Sequence, residues 1–347
     1  MTTQPLRFRR EAFGVGAVLA LLCAASLTAC GGSDSAGDAS TDTSTSTTSE
    51  AGEATLTKLT IQRSANAGWQ PVVWAAENGY FEDQGLDVTV KTASSDITKN
   101  IPLVVSGAID ITESSVQPLT AAVGQGLPVR AVLGVQNATS KTAQDDGCLA
   151  PPGSSITDLS GLEGAKVAVP SLGHPVQIVN NVAMRAQDLD PSKVKYVALD
   201  VSTINEAGSS GKVDAICTFG PFFNAAVADG FTPLNGGTVG EIPNAAQLIW
   251  LATDKFATEN ADTLAKFAAA MDEAYTYLNE HPDDYRQVTL DNSDQSKADV
   301  KAMAIPDMST AISRSATETI VNEMKLSGFI DEAPSVDDLI DSSVPDL

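Results

Sequence analysis

Three short stretches of this chain set small or hydroxyl-bearing residues directly before a helix-like pattern: Ser64–Gln70, Glu113–Val116 and Ser171–Pro175. The first N–H groups of a helix have no intrahelical partner and sit at the positive end of its dipole. Such junctions therefore favour an anion or a strongly polar acceptor. Trp69 lies in the first turn rather than on the helix face that follows it, so its indole is expected either to wall an organic ligand or to pack against a hinge. Phe219 and Pro221, in Phe219-Gly220-Pro221-Phe222, offer a ring from a second part of the chain, with core packing as the alternative. The hydroxyls of Ser114 and Ser115 suit N-capping, ligand contact, or both at once.

The same inventory argues against catalysis. There are two histidines, one of them, His281, next to Pro282, and no Ser/His/Asp order, H-E-x-x-H or G-x-S-x-G pattern stands out. Cys148 and Cys217 lack metal-ligand spacing, and no metal or cofactor is expected. None of the three junctions contains a Lys or Arg. Arg63 is adjacent, but strand alternation would turn it away. That shifts the expectation from a small inorganic anion toward an organic ligand with an aromatic or aliphatic body.

The elements that must position these residues follow from periodicity. Leu59–Ile61 reads as a strand, Pro71 opens a helix carrying Val72, Val73, Ala76, Tyr80 and Phe81, and Leu86, Val88 and Val90 alternate as a second strand. This is a βαβ unit, whose turn lies at the carboxyl edge of a parallel sheet, where such sheets bind ligands. A helix over Asp96–Ser106 kinked at Pro102, a strand at Ile109–Thr112, a helix over Ser115–Gln125 and a strand at Val129–Val135 come next. After the polar run Asn137–Gly147 the alternation restarts. Strands are expected at Gly147–Ala150, Lys166–Val169, Val194–Leu199 and Ala215–Thr218, with helices at Val176–Gln187, Thr203–Ser210 and Pro221–Ala228. Gln247–Ala252 reads as a return strand, and the remainder as helices at Ala261–Asn279, Asp283–Leu290, Lys297–Met303 and Ser309–Ser327. Strand–helix alternation in two blocks predicts two doubly wound α/β lobes with a helical C-terminal part.

The pattern A-x-x-x-G-Y-F-E-x-x-G-L-D-V from Ala76, then S-G-x-I-D-I from Ser106 and G-x-P-V from Gly126, resembles the solute-binding proteins of ABC importers. The nitrate/sulfonate/taurine group and its relatives for thiamine-pyrimidine precursors are the nearest in pattern, over roughly Thr55 to Ser327. The resemblance implies an α/β fold of two doubly wound lobes joined by a hinge, periplasmic binding protein-like of type II. Lobe one would be 54–146 and 253–347 with the helical part packed on it, and lobe two 147–252. It implies ligand contacts at Asn66, Gly68, Trp69, Gln70, Ser114, Ser115, Gly173 and His174, where a hydroxyl residue is commoner than histidine. It also implies partners: a small-molecule ligand, an ABC permease and its ATPase subunits. A related yeast pyrimidine synthase shares the fold, but its cysteine-rich site has no counterpart here.

The first residues read as an address. Arg7, Arg9 and Arg10 precede an apolar core, Ala12–Ala25, that is short for a membrane span, and Leu27-Thr28-Ala29-Cys30-Gly31 matches a bacterial lipobox. Residues 1–29 are expected to be a lipoprotein signal peptide, with Cys30 lipidated and 30–53 a disordered Ser/Thr/Gly-rich tether. The location expected is the extracytoplasmic side of the cell membrane, lipid-anchored. Cys148 and Cys217 form an even pair in that oxidising setting and are candidates for a disulfide. The formal charge of −23 argues against a nucleic-acid partner and says little about ligand sign, because salt screens a diffuse field. The expected product is a monomeric, non-enzymatic binding lipoprotein that feeds an importer. The alternatives are a ligand sensor uncoupled from transport and a pyrimidine-precursor synthase-like enzyme.

Overall fold

The computed structural model describes residues 56–64, 68–93 and 100–347. The expected signal peptide, Cys30, the expected tether, Asn66 and the first residues of the expected 96–106 helix lie outside the described residues. Leu56–Leu347 forms one compact unit built on two sheets.

The first sheet contains β1 (Thr57–Arg63), β2 (Leu86–Thr92), β3 (Ile111–Ser114), β4 (Val129–Asn137), β10 (Ala246–Thr253) and β11 (Asp307–Met308), in the order β11-β4-β10-β3-β1-β2. β1 pairs in parallel with both β2 and β3, whereas β10 runs antiparallel to β3 and β4. The second sheet holds β5 (Asp146–Ala150), β6 (Lys166–Val169), β7 (Lys195–Ala198), β8 (Ala215–Phe219) and β9 (Thr232–Pro233), in the order β7-β6-β8-β5-β9. The chain passes between sheets twice, over residues 138–145 and 234–245. The crossings are tied to each other: Ala138 donates its N–H to Ala245, and Asn244 donates to Ala138.

Each sheet is covered on both faces, which is why its strands read as near-continuous apolar runs. In β10, Leu248, Trp250 and Ala252 enter one core, with α1 (Gln70–Glu77), α2 (Tyr80–Asp83), α10 (Ala261–Glu280) and α11 (Pro282–Asn292) over it. Ile249 and Leu251 enter the other, beside α3 (Ile101–Val105), α4 (Val116–Gly124), α13 (Arg314–Leu326) and α14 (Val336–Leu339). Around the second sheet lie α5 (Pro175–Ala186), α6 (Val201–Ser209), α7 (Gly220–Ala228) and α8 (Gly237–Glu241). The short α9 (Asp254–Glu259) and α12 (Lys297–Ala302) complete the set. Cys148 and Cys217 face each other across β5 and β8, both fully buried, and are joined as a disulfide.

Several boundaries differ from the sequence reading. The helix expected from Pro71 through Phe81 is two, because Gly79 takes a left-handed conformation (φ 80°) and restarts it. The expected Ser309–Ser327 helix begins only at Arg314, where Ser313 accepts the Ala316 N–H as its N-cap. Just before it, Asp307–Met308 pairs with β4 as an edge strand. β10 belongs entirely to the first sheet, so the second crossing precedes Ala246.

Candidate functional site

A cleft of about 280 Å³ opens where the two sheets and the two crossings meet. From the first-sheet side it is lined by Ser64 at the end of β1, Gln117 in the first turn of α4, Gln136 of β4, Gln247 and Leu248 of β10, and Ile320 of α13. The second-sheet side supplies Ser171, His174, Val176 and Val179 around the start of α5, Asp200 and Val201 at the start of α6, and Phe219 and Gly220. Asp145 and Asp146 come from the end of the first crossing, and Thr238, Ile242 and Ala245 from the second. Helices α5, α6 and α7 thus begin at the cleft, as parallel strand–helix connections require.

The electrostatics of this lining are one-sided. It carries three aspartates and no Lys or Arg. Asp200 caps α6 by accepting the Ser202 N–H at 2.9 Å and the Ser202 hydroxyl at 2.6 Å, and these bonds hold its carboxyl below the usual range, so it stays ionised. Asp146 is buried and bonded by both the backbone N–H and the hydroxyl of Thr238; burial nonetheless raises its pKa. Asp145 keeps part of its surface open, yet desolvation and the neighbouring Asp146 charge push it up to about 7. The Gln247 amide bonds Asp145 and partly offsets that rise. The Gln136 side chain in turn donates to Gln247 at 3.4 Å.

His174 and Phe219 stack across the lining with ring centroids 5.2 Å apart and an interplanar angle of 20°. His174 is also the N-cap of α5, its Nδ1 accepting the Val176 N–H at 3.4 Å. The rings that meet the cleft are therefore these two.

Of the other residues expected at the site, the structure draws most into the core. Trp69 is 1% exposed, packed in the first-sheet core with the Arg63 guanidinium 4.5 Å over its ring, so it does not wall the cleft. Arg63 likewise does not simply point away, since its guanidinium lies over the indole. Gln70 is buried and accepts the Tyr285 hydroxyl at 2.9 Å. Gly68 is enclosed because Leu248 lies so close that a Cβ would meet its Cδ1 at 2.3 Å. Ser114 and Ser115 are buried behind the lining, with hydroxyls that have no partner, and Ser115 sits at the N-cap of α4 without capping it. Gly173 abuts Phe329, and Pro221 is solvent-exposed; neither lines the cleft. The first junction thus reaches the cleft through Ser64, and no residue of the second does; the lining residue beside it is Gln117.

Sequence reasoning missed Asp145, Asp146, Gln136, Gln247 and Asp200. The Asp145-Asp146 doublet closing the polar 137–147 run was the available signal: paired acids where a chain crosses between sheets face the crevice by topology.

The model of the "NMT1/THI5 like" family matches residues 66–285, well over half of the chain. The chain belongs to this family. A formylaminopyrimidine-binding protein from Halalkalibacterium halodurans is 27% identical over 238 residues, 64% of this chain and 66% of the relative, just under two thirds of its length. In structure the chain resembles the periplasmic aliphatic sulphonate binding protein SsuA from Escherichia coli, with a TM-score of 0.69 and 16% identity, over 82% of this chain and 97% of that one. It also resembles the periplasmic nitrate-binding protein NrtA from Synechocystis PCC 6803, with a TM-score of 0.64 and 13% identity, over 82% and 86%. At those identities the likeness establishes the periplasmic-binding fold. These relatives are binding proteins, not enzymes. Among the described residues no helix of this NMT1/THI5-like chain is long and apolar enough to cross a membrane.

Proposed function

We propose that the chain is an extracytoplasmic solute-binding lipoprotein, anchored through Cys30, that closes on a small amino-bearing heterocycle of the aminopyrimidine class and delivers it to an ABC importer. The observation that carries this reading is a cleft lined by three aspartates and three glutamines, stacked rings on one wall, and no Lys or Arg. Asp145 and Asp200 present carboxyl oxygens with no Lys or Arg to pair them, which suits a ligand that brings N–H groups. A flat ring suits the His174–Phe219 wall and the cleft's small volume.

Charge sign favours this ligand over a sulfonate or nitrate. Asp200 caps α6, so its ionised carboxylate occupies the place at that helix N-terminus that a bound anion would need. The name of the Halalkalibacterium halodurans relative agrees with the amino-heterocycle.

Closure would use the two mutually bonded crossings as a hinge between lobes carrying the two sheets. Isothermal titration with 4-amino-2-methylpyrimidine, 4-amino-5-(aminomethyl)-2-methylpyrimidine, taurine and nitrate tests the reading. Binding of the aminopyrimidines alone is expected, weakened about tenfold by Asp145→Asn (~1.4 kcal/mol). Taurine or nitrate binding with the aminopyrimidines silent would overturn it.

A further inference from the structure

Two helices, one from each side, wall the cleft and then continue beyond it. Val176 and Val179 of α5 face the cleft together with Ile320 of α13. About 9 Å further along α5, at 1.5 Å per residue, the same pair of helices is joined by polar contacts. The Arg185 Nε donates to both oxygens of Glu323, at 2.9 and 3.1 Å, although Glu323 is only 4% exposed. Ser327 adds its hydroxyl to Glu323 at 2.6 Å, and Asn181 donates to Ser327 at 2.9 Å.

The network continues inward. Tyr196 donates to Asn181 at 2.8 Å and accepts from Asn180 at 2.8 Å, and Asn180 accepts from Asn235 at 3.0 Å. Asn235 stands at the start of the second crossing, where its carbonyl also takes the Gln144 amide. A continuous hydrogen-bonded chain therefore runs from α13, through α5 and β7, to the hinge. Between clasp and cleft, Ile178 and Val179 pack in one apolar cluster with Val116, Leu119, Ile320 and Val321. Apolar contact supplies adhesion without direction, whereas a guanidinium whose Nε is shared by both Glu323 oxygens while its Nη2 donates to the Leu326 carbonyl at 3.4 Å fixes one register.

We propose that Arg185 and Glu323 are positioning residues whose ion pair, remote from the ligand, sets the separation of α5 and α13 and so how tightly the cleft holds its guest. The proposal rests on the cleft being the ligand site. Neither side chain lines it, so breaking the pair leaves every ligand contact in place. The loss should then fall on dissociation and be the same for any ligand.

The test uses the full chain, its Glu323→Gln and Arg185→Met variants, and the double variant. Stopped-flow binding of 4-amino-2-methylpyrimidine and 4-amino-5-(aminomethyl)-2-methylpyrimidine should show dissociation about tenfold faster in each single variant, with association unchanged. The factor should be equal for both probes, and the double variant no worse than either single. A factor that differs between probes, additive losses, or unchanged dissociation would overturn the proposal. Hydrogen exchange of the ligand-free proteins gives a second reading that needs no ligand. Faster exchange over residues 176–186, with β1 and β2 unchanged, supports the clasp, and unchanged exchange there refutes it. If neither probe binds the native chain, the aminopyrimidine reading fails, while exchange still decides on the clasp.

Discussion

Glu113 makes the sharpest demand on experiment. It is the last but one residue of β3 and has no solvent exposure; one carboxyl oxygen accepts the Ser64 N–H, and the other has no partner. Burial drives its pKa from the ordinary 4.5 up to about 8, against smaller opposing contributions from the Ser64 bond and the Arg63 charge. The folded chain therefore keeps this proton until about pH 8, while the unfolded chain releases it near 4.5. Between those values the unfolded state binds fewer protons, so stability falls as pH rises, by about 1.4 kcal/mol per pH unit for one such group.

Glu113→Gln preserves shape and an acceptor for Ser64 but removes the titration. From pH 5.5 to 7.5 the native chain should lose about 2–3 kcal/mol through this group, and the variant nothing. Urea unfolding of both proteins at both pH values gives the answer as a difference. Other titrating groups, Asp145 included, are common to the pair and cancel. Tyr275 and Tyr285, near enough to sense Glu113, have pKa values raised far above this window and stay neutral. A stability gap between variant and native chain that is the same at both pH values would refute the reasoning.

Other outcomes follow from burial. Trp69→Ala should reduce stability by about 3–5 kcal/mol in urea melts, whereas Phe219→Ala should chiefly weaken aminopyrimidine binding, about tenfold by calorimetry (~1.4 kcal/mol). The reverse pattern would return Trp69 to the ligand. Replacing Cys148 and Cys217 together by Ala should reduce stability by about 4–5 kcal/mol, the loop-closure effect for a cross-link of this span. Equal urea midpoints for that variant and the oxidised native chain would contradict it.

The strands and long helices were legible because burial on both faces leaves apolar runs, as in β4 and β10, and because Ala261–Glu280 repeats its apolar residues at helical spacing. The two-residue edge strand at Asp307–Met308 carries no periodicity and exists only because β4 offers an open edge. The site was half legible for a similar reason. Topology places the starts of α5 and α7 at the crevice, so His174 and Phe219 follow from position alone. Whether an indole in a turn faces ligand or core depends on what packs beneath it. For Trp69 that is decided by a core assembled from residues as far apart in the chain as Leu59 and Met308.

Charge shows the same split between diffuse and local effects. The −23 of the whole chain is spread over a surface where salt shortens its reach to about 10 Å. It would have been compatible with an anion held by amide hydrogens in a cleft furnished with arginine. What turns the site toward a donor-bearing ligand is narrower: Asp145 and Asp146 arrive together because a crossing ends there, and Asp200 arrives because α6 needs a cap. Each is explained by its own element, and only the convergence of those elements on one cavity gives the acids a shared consequence. If the proposed ligand class is correct, placing a lysine at one of these three positions should turn the cleft toward anions.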